Sequence, residues 1–173
     1  PAVAQRGEGR NEIKRFIPGA IPVKSQNWEI SRDPVSGYVY FANSAGLVEY
    51  NGITARSYPV PYSQGVRSVY VNSDGLIFTG SFEDFRFWRK DRSGLLSYTS
   101  LATSAGVVQN DEIWNICEIN HMLYFQSFTS VYVYDYSGVR RIAAPSSLLF
   151  FFRVGNRFIA QAIDEGLYWF DGA

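Results

Sequence analysis

Runs of aromatic and aliphatic residues recur along the chain, each long enough for one strand and each closed by a cluster of Gly, Asn, Asp or Ser. Four of them align with one another: "YVYFAN" from Tyr38, "LIFTGS" from Leu76, "MLYFQS" from Met122 and "RFIAQA" from Arg157. Each is preceded by a second run, "WEISRD" from Trp28, "RSVYVN" from Arg67, "IWNICEI" from Ile113 and "LFFFRV" from Leu149, across a connection carrying "SG", "SDG", "NH" or "GN". Each is followed by a third, "GLVEY", "FRFWR", "VYVYD" and "GLYWF", and then by "NG", "KDRSG", "DYSG" or "DG". Such connections take positive φ and build hairpins, so every copy reads as an antiparallel meander. A fourth strand closes three copies, as "ITARSY", "LLSYTS" and "VRRIA"; the last copy, "DEGLYWFDGA", has none.

The aligned strands start about 38, 46 and 35 residues apart, close to the roughly 40 to 50 residues of a four-stranded propeller blade. The expected fold is therefore all-β, a β-propeller segment of about four blades. It occupies 1–173 as one unit, with a leader and strand over 1–19, blades over 20–61, 62–104 and 105–145, and an incomplete blade over 146–173. The run "GLYWF" leaves an aromatic edge without an outer neighbour, and a bare edge strand is an aggregation hazard. Two routes to covering it stay open: "NEIKRFI", Asn11 to Ile17, folds back as the missing strand, or the edge pairs with another copy of the chain. Self-association through open blade edges is the expectation.

Composition narrows the class. Of the 173 residues 46% are hydrophobic and 17% aromatic, with 15 Gly, which favours short strands and tight turns over helices and excludes disorder. Sixteen basic and sixteen acidic side chains give a formal net charge of 0, so no long-range field gathers nucleic acid or an anionic membrane. No apolar stretch reaches the roughly 20 residues of a membrane helix. The single Cys117 precludes an intrachain disulfide and is expected to be a small buried thiol.

The stretch Gln26–Gly52, "QNWEISRDPVSGYVYFANSAGLVEYNG", resembles the first propeller repeat in the periplasmic sensor regions of hybrid two-component systems and related transmembrane regulators of polysaccharide-degrading gut bacteria. "TGSFEDFRFW" (Thr79 to Trp88), "DEIWNICEI" with "LYFQSFTSVYVYD" (Asp111 to Asp135) and the closing "GLYWFDG" are similar to later repeats in the same order. The resemblance covers nearly everything after about Gly19 and implies that the four blades belong to a larger, seven-bladed propeller. It further implies a periplasmic location and a ligand-sensing or signal-relaying role; a kinase or DNA-binding output, and the membrane span, lie outside these residues. In two places the chain departs from the family pattern: Glu83-Asp84 stands where Gly-Glu is frequent, and Arg86 stands where Gly is.

Catalytic groupings are scarce. The one histidine, His121, falls in a hairpin turn beside Asn120, where a solvated role is expected. There is no Gly-rich phosphate loop, paired-cysteine spacing or calcium-loop pattern, so no cofactor and no metal is expected. The acidic pairs Glu83-Asp84 and Asp164-Glu165 could serve glycoside hydrolysis but read as solvated turn residues. They share one place in the repeat, the connection between second and third strands, which lies on the same propeller face as the links between blades. That face collects Gln26, Asn27, Asn43, Gln64, Arg67, Glu83, Asp84, Asn110, Asp111, Ser127, Asp164 and Glu165, with Trp28 and Trp114 entering first strands from it. From these, Asn27, Asn43, Arg67, Glu83, Asp84, Asp111, Trp114, Asp164 and Glu165 are the candidate ligand-binding residues. Hydrogen-bonding groups beside aromatic rings suit a mono- or oligosaccharide. Packing between blades is the competing account of the two Trp residues, and core is the expectation for Phe150, Phe151 and Phe152. The sequence thus reads as a non-enzymatic sensor propeller answering to a saccharide; the alternatives are a protein-interaction or dimerisation scaffold and, more weakly, a glycan-active hydrolase or lyase.

Overall fold

A computed structural model describes residues 23–61 and 64–170; the Asn11–Ile17 stretch lies outside the described residues. Among the described residues fifteen strands form four antiparallel sheets in chain order. The first holds β1 (Asn27–Arg32), β2 (Val39–Asn43), β3 (Gly46–Tyr50) and β4 (Ala55–Tyr58). The second holds β5 (Val66–Val71), β6 (Ile77–Ser81), β7 (Asp84–Lys90) and β8 (Leu96–Ser100). A short helix, α1 (Ala102–Ala105), lies in the link to the third sheet, β9 (Asn115–Ile119), β10 (Met122–Gln126), β11 (Ser130–Tyr134) and β12 (Val139–Ala143). The fourth has three strands, β13 (Leu148–Val154), β14 (Arg157–Ala162) and β15 (Gly166–Phe170), and among the described residues β15 pairs with β14 alone.

Turn chemistry accounts for the meanders. Asn120 and His121 both take positive φ, 52° and 59°, the two-residue hairpin geometry anticipated for "NH", and the His121 side chain is 89% exposed. Glu83 takes φ 52° between β6 and β7. The chain keeps a left-handed turn there with a side chain in place, and Glu83 Oε1 accepts a hydrogen bond from the Asn110 amide at 2.5 Å.

The core sits between the sheets. Tyr40, Ala42 and Leu47 of the first pack on Val69, Val71, Ile77 and Trp88 of the second. Phe78 and Phe85 meet Ile116, Leu123, Phe125 and Tyr132 of the third, and Tyr124, Val131 and Val133 meet Phe151, Phe158 and Ala160 of the fourth. Because side chains alternate across a strand, each middle blade is buried on both faces: Ile77, Trp88 look one way and Phe78, Phe85 the other. Gly80 marks the tightest approach, since a Cβ there would lie 2.4 Å from Ser68 Oγ and 2.5 Å from Ile113 Cγ2.

The first strands β1, β5, β9 and β13 are each an edge of their sheet. Outward amides of β5 find side chains of the first blade: Val69 N–H donates to Glu29 Oε2 at 2.7 Å and Val71 N–H to Ser31 Oγ at 3.0 Å. Two expectations are corrected here. Phe151 is core at 1% exposure, but Phe150 and Phe152, pointing to the opposite side of the last blade, are 49% and 51% exposed. Cys117 is half-buried rather than sealed in, and burial pushes its thiol up to about 11, which leaves it a poor nucleophile.

Candidate functional site

A one-residue bulge recurs at the same point in three blades. The register of β1 on β2 skips Trp28 between Asn27↔Asn43 and Glu29↔Ala42, that of β5 on β6 skips Arg67, and that of β13 on β14 skips Leu149. Bulges redirect the extra side chain away from the regular pleat. Trp28 and Arg67 emerge where the first strands begin and meet Trp114, the residue before β9. The Arg67 guanidinium lies 4.3 Å from the Trp28 ring centre and 5.6 Å from that of Trp114, and its Nε is 2.6 Å from Glu112 Oε1. The two indoles meet edge-on at 5.8 Å, and Phe128 sits 5.7 Å from Trp114 on its other side.

These rings open onto a cavity of about 330 Å³ lined by Trp28, Glu29, Trp114, Asn115, Gln126, Phe128 and residues 149–152. Its hydrogen-bonding groups are unequally engaged. Trp28 Nε1 donates to Ser44 Oγ at 3.0 Å, whereas the buried Trp114 Nε1 has no partner. Burial pushes the Glu29 carboxyl up to about 7 against the lowering effect of the Val69 amide. A carboxyl raised in the folded state holds a proton that the unfolded chain gives up near 4.5, so its contribution to stability falls as pH rises between about 4.5 and about 7. Denaturant titrations at pH 5 and pH 8 should show that loss in the wild type and a smaller one in Glu29→Gln, which keeps an acceptor for Val69; an equal loss in both refutes the assignment.

A second cleft, about 500 Å³, opens on the same side between Pro61, Gln64, Phe82–Asp84, Arg86, Ser100 and the 102–109 link. Arg86 lies at its base with 1% exposure, paired with Asp84 and donating from Nη1 to Ser81 Oγ at 3.1 Å. Its Nε is buried without a partner, and Ser100 Oγ donates to the other Asp84 oxygen at 2.7 Å.

The nine candidate residues thus fall into separate groups. Arg67 and Trp114 join at the aromatic cavity, and Glu83 and Asp84 line the second cleft. Asn43 is fully buried; its Nδ2 donates to Asn27 Oδ1 at 2.8 Å and its Oδ1 accepts from the Ala45 amide at 2.8 Å, so the pair fixes the turn after β2. Asp111, 2% exposed, accepts from Ser127 Oγ, Thr129 Oγ1 and Tyr132 OH and ties the inter-blade link to the next turn. Asp164, at φ 64°, and Glu165, which accepts from Tyr168 OH at 3.2 Å, stand exposed in the last blade. Glu29, Gln126 and Phe128 went unremarked in the sequence, although their place in the aligned repeats, next to Trp28 and in the turn after β10, was available. Trp28 packs edge-on against Trp114 of the third blade, as the account of packing between blades has it, and remains 38% exposed. Among the described residues no three His, Cys, Asp or Glu are grouped to hold a metal ion, and no helix is long and apolar enough to cross a membrane.

No protein-family model and no curated protein matches the sequence. Solved structures do match. The extracellular domain of a hybrid two-component system from B. thetaiotaomicron superposes with TM-score 0.66 at 13% identity, over 83% of this chain and 20% of that one. Virginiamycin B lyase from Staphylococcus aureus gives 0.62 at 14% identity, over 86% and 57%, and the WD40 β-propeller domain of Doa1 gives 0.61 at 13%, over 87% and 52%. This chain therefore spans between 20% and 57% of the length of these neighbours. What such distant likeness establishes is architecture, and the chain is four blades of a β-propeller, a fold it shares with the extracellular domain of a two-component system.

Proposed function

We propose that this chain is the ligand-sensing or signal-relaying propeller part of a periplasmic sensor region in a transmembrane regulator, and that it responds to a saccharide. The observation that carries the reading is a concave site on the face of inter-blade links that is walled by the aromatic rings of Trp28, Trp114, Phe128 and Phe150 beside Glu29, Asn115 and Gln126. The fold shared with an extracellular two-component domain supports it. The face that carries Asn27, Arg67, Glu83, Trp114, Asp164 and Glu165 receives the ligand, while Asn43, Asp84 and Asp111 hold its turns in shape. With a net charge of 0 there is no polyanion attraction, so affinity in a calorimetric glycan screen should change little between low and high salt. A steep loss with salt, or a ligand mapped to the hairpin face near Gly37, Asp74 and Asn120, contradicts the reading.

One observation favours a second reading, a propeller that associates with another copy of itself. The outward face of the last blade exposes Phe150, Phe152, Val154, Leu167 and Trp169, with Leu167 and Trp169 at 68% and 63%, next to the β15 edge that no other described strand pairs. Sedimentation that reports a single copy at high concentration overturns that reading.

A further inference from the structure

We propose that the cavity at the start of the first strands, walled by Trp28, Trp114, Phe128 and Phe150 and floored by Glu29 and Gln126, holds one pyranose ring of a neutral glycan. The inference rests on the saccharide reading above and gives it a location and a charge class. Four observations converge. The site is built by a device that repeats: bulges in three blades deliver Trp28, Arg67 and Leu149 to equivalent places, two of which, Trp28 and Leu149, line the cavity itself. Strand edges that depart from the ladder in the same way three times in four blades are positioned features, since regular pairing would have served packing alone.

The walls suit a ring with apolar faces. Trp28 is 38% exposed, Phe128 37% and Phe150 49%, so aromatic surface is presented to solvent at this mouth where a flat C–H face can cover it. The floor suits hydroxyls. Glu29, Asn115 and Gln126 line it beside the rings and bring carboxyl and amide groups to the site. Finally, Arg67 is held against Glu112, and Glu29, raised by burial to about 7, holds its proton below about neutral pH. A carboxylic acid in that state both donates and accepts, which matches a hydroxyl and disfavours a uronic acid or a sulfated sugar. A volume of about 330 Å³ sits at the lower end of small-molecule sites, about 300–1,000 Å³, and so admits a single ring with its substituents.

The test is calorimetry, with intrinsic tryptophan fluorescence in parallel, of maltose, cellobiose, laminaribiose, mannobiose and galactobiose against the wild type and three variants. Trp114→Phe keeps an aromatic wall and narrows it from an indole to a single ring. Phe128→Ala truncates a ring that is already 37% exposed and leaves the blades packed. Thr103→Ala alters the second cleft, the competing site. At least one disaccharide is expected to bind the wild type, blue-shifting the tryptophan emission, with affinity roughly five- to tenfold lower in Trp114→Phe and in Phe128→Ala. Binding that persists within twofold in both cavity variants overturns the location and leaves the saccharide reading standing. Binding lost in Thr103→Ala alone moves the site to the other cleft. If no disaccharide of the panel binds, the location and the saccharide reading fall together.

Discussion

Replacing Phe125 by alanine is expected to destabilise the protein by about 3–5 kcal/mol, the range for emptying an aromatic-sized space in a closed core. Phe125 is fully buried on β10 and lies in the middle of the junction between the second and third blades, 4.5 Å from the ring of Phe85 and 6.2 Å from that of Phe78. Both partners come from the other blade, so the cavity would open between two sheets that cannot both move in to fill it. For a domain of this size the melting temperature should fall on the order of 10 °C. Phe128→Ala, removing a ring of the same kind at 37% exposure, should cost under about 1 kcal/mol. Equal losses in the two variants would mean that the blade junction does not hold the fold together as described.

The second large effect is expected from Asp84→Ala. Arg86 is 1% exposed and its charge is met by Asp84, whose side chain keeps 21% exposure. Removing the carboxylate strands a buried guanidinium, a change that costs about 3–5 kcal/mol for a closed pair and less here because one partner reaches solvent, so about 2–4 kcal/mol is expected. The informative measurement is the cycle. Arg86→Met in the Asp84→Ala background should recover much of the loss, since an apolar side chain of similar length leaves no charge behind, and the coupling between the two changes should exceed about 1 kcal/mol. Strict additivity would show that the pair does not act as a unit and would return Asp84 to the list of groups free to meet a ligand.

The meanders were legible in the sequence because they depend on neighbours along the chain. Turn residues such as Gly37, Asn120 and His121 and the runs between them carry local information, and the alignment of four copies made the blade visible. The candidate site was legible only in part. Trp28, Arg67 and Trp114 stand in three different blades, and nothing local announces that bulges bring them within 6 Å of one another. Likewise Phe150, Phe151 and Phe152 look alike as letters, yet strand alternation sends the middle one into the core and the outer two to the open side. Arg86 was noticed as a departure from the family pattern; that it is buried, with Asp84 as its counter-charge, depends on the first and second blades closing over it, which sequence spacing does not encode.

Each hydrophobic cluster in this molecule joins two successive sheets, so strain applied to one blade passes to the next and weakens at every junction, as it does along any linear stack. The contact between Trp28 of the first blade and Trp114 of the third steps over the second, with Arg67 of that second blade held in the gap. It works as a cross-tie. An object wedged there bears on three blades at once rather than on one.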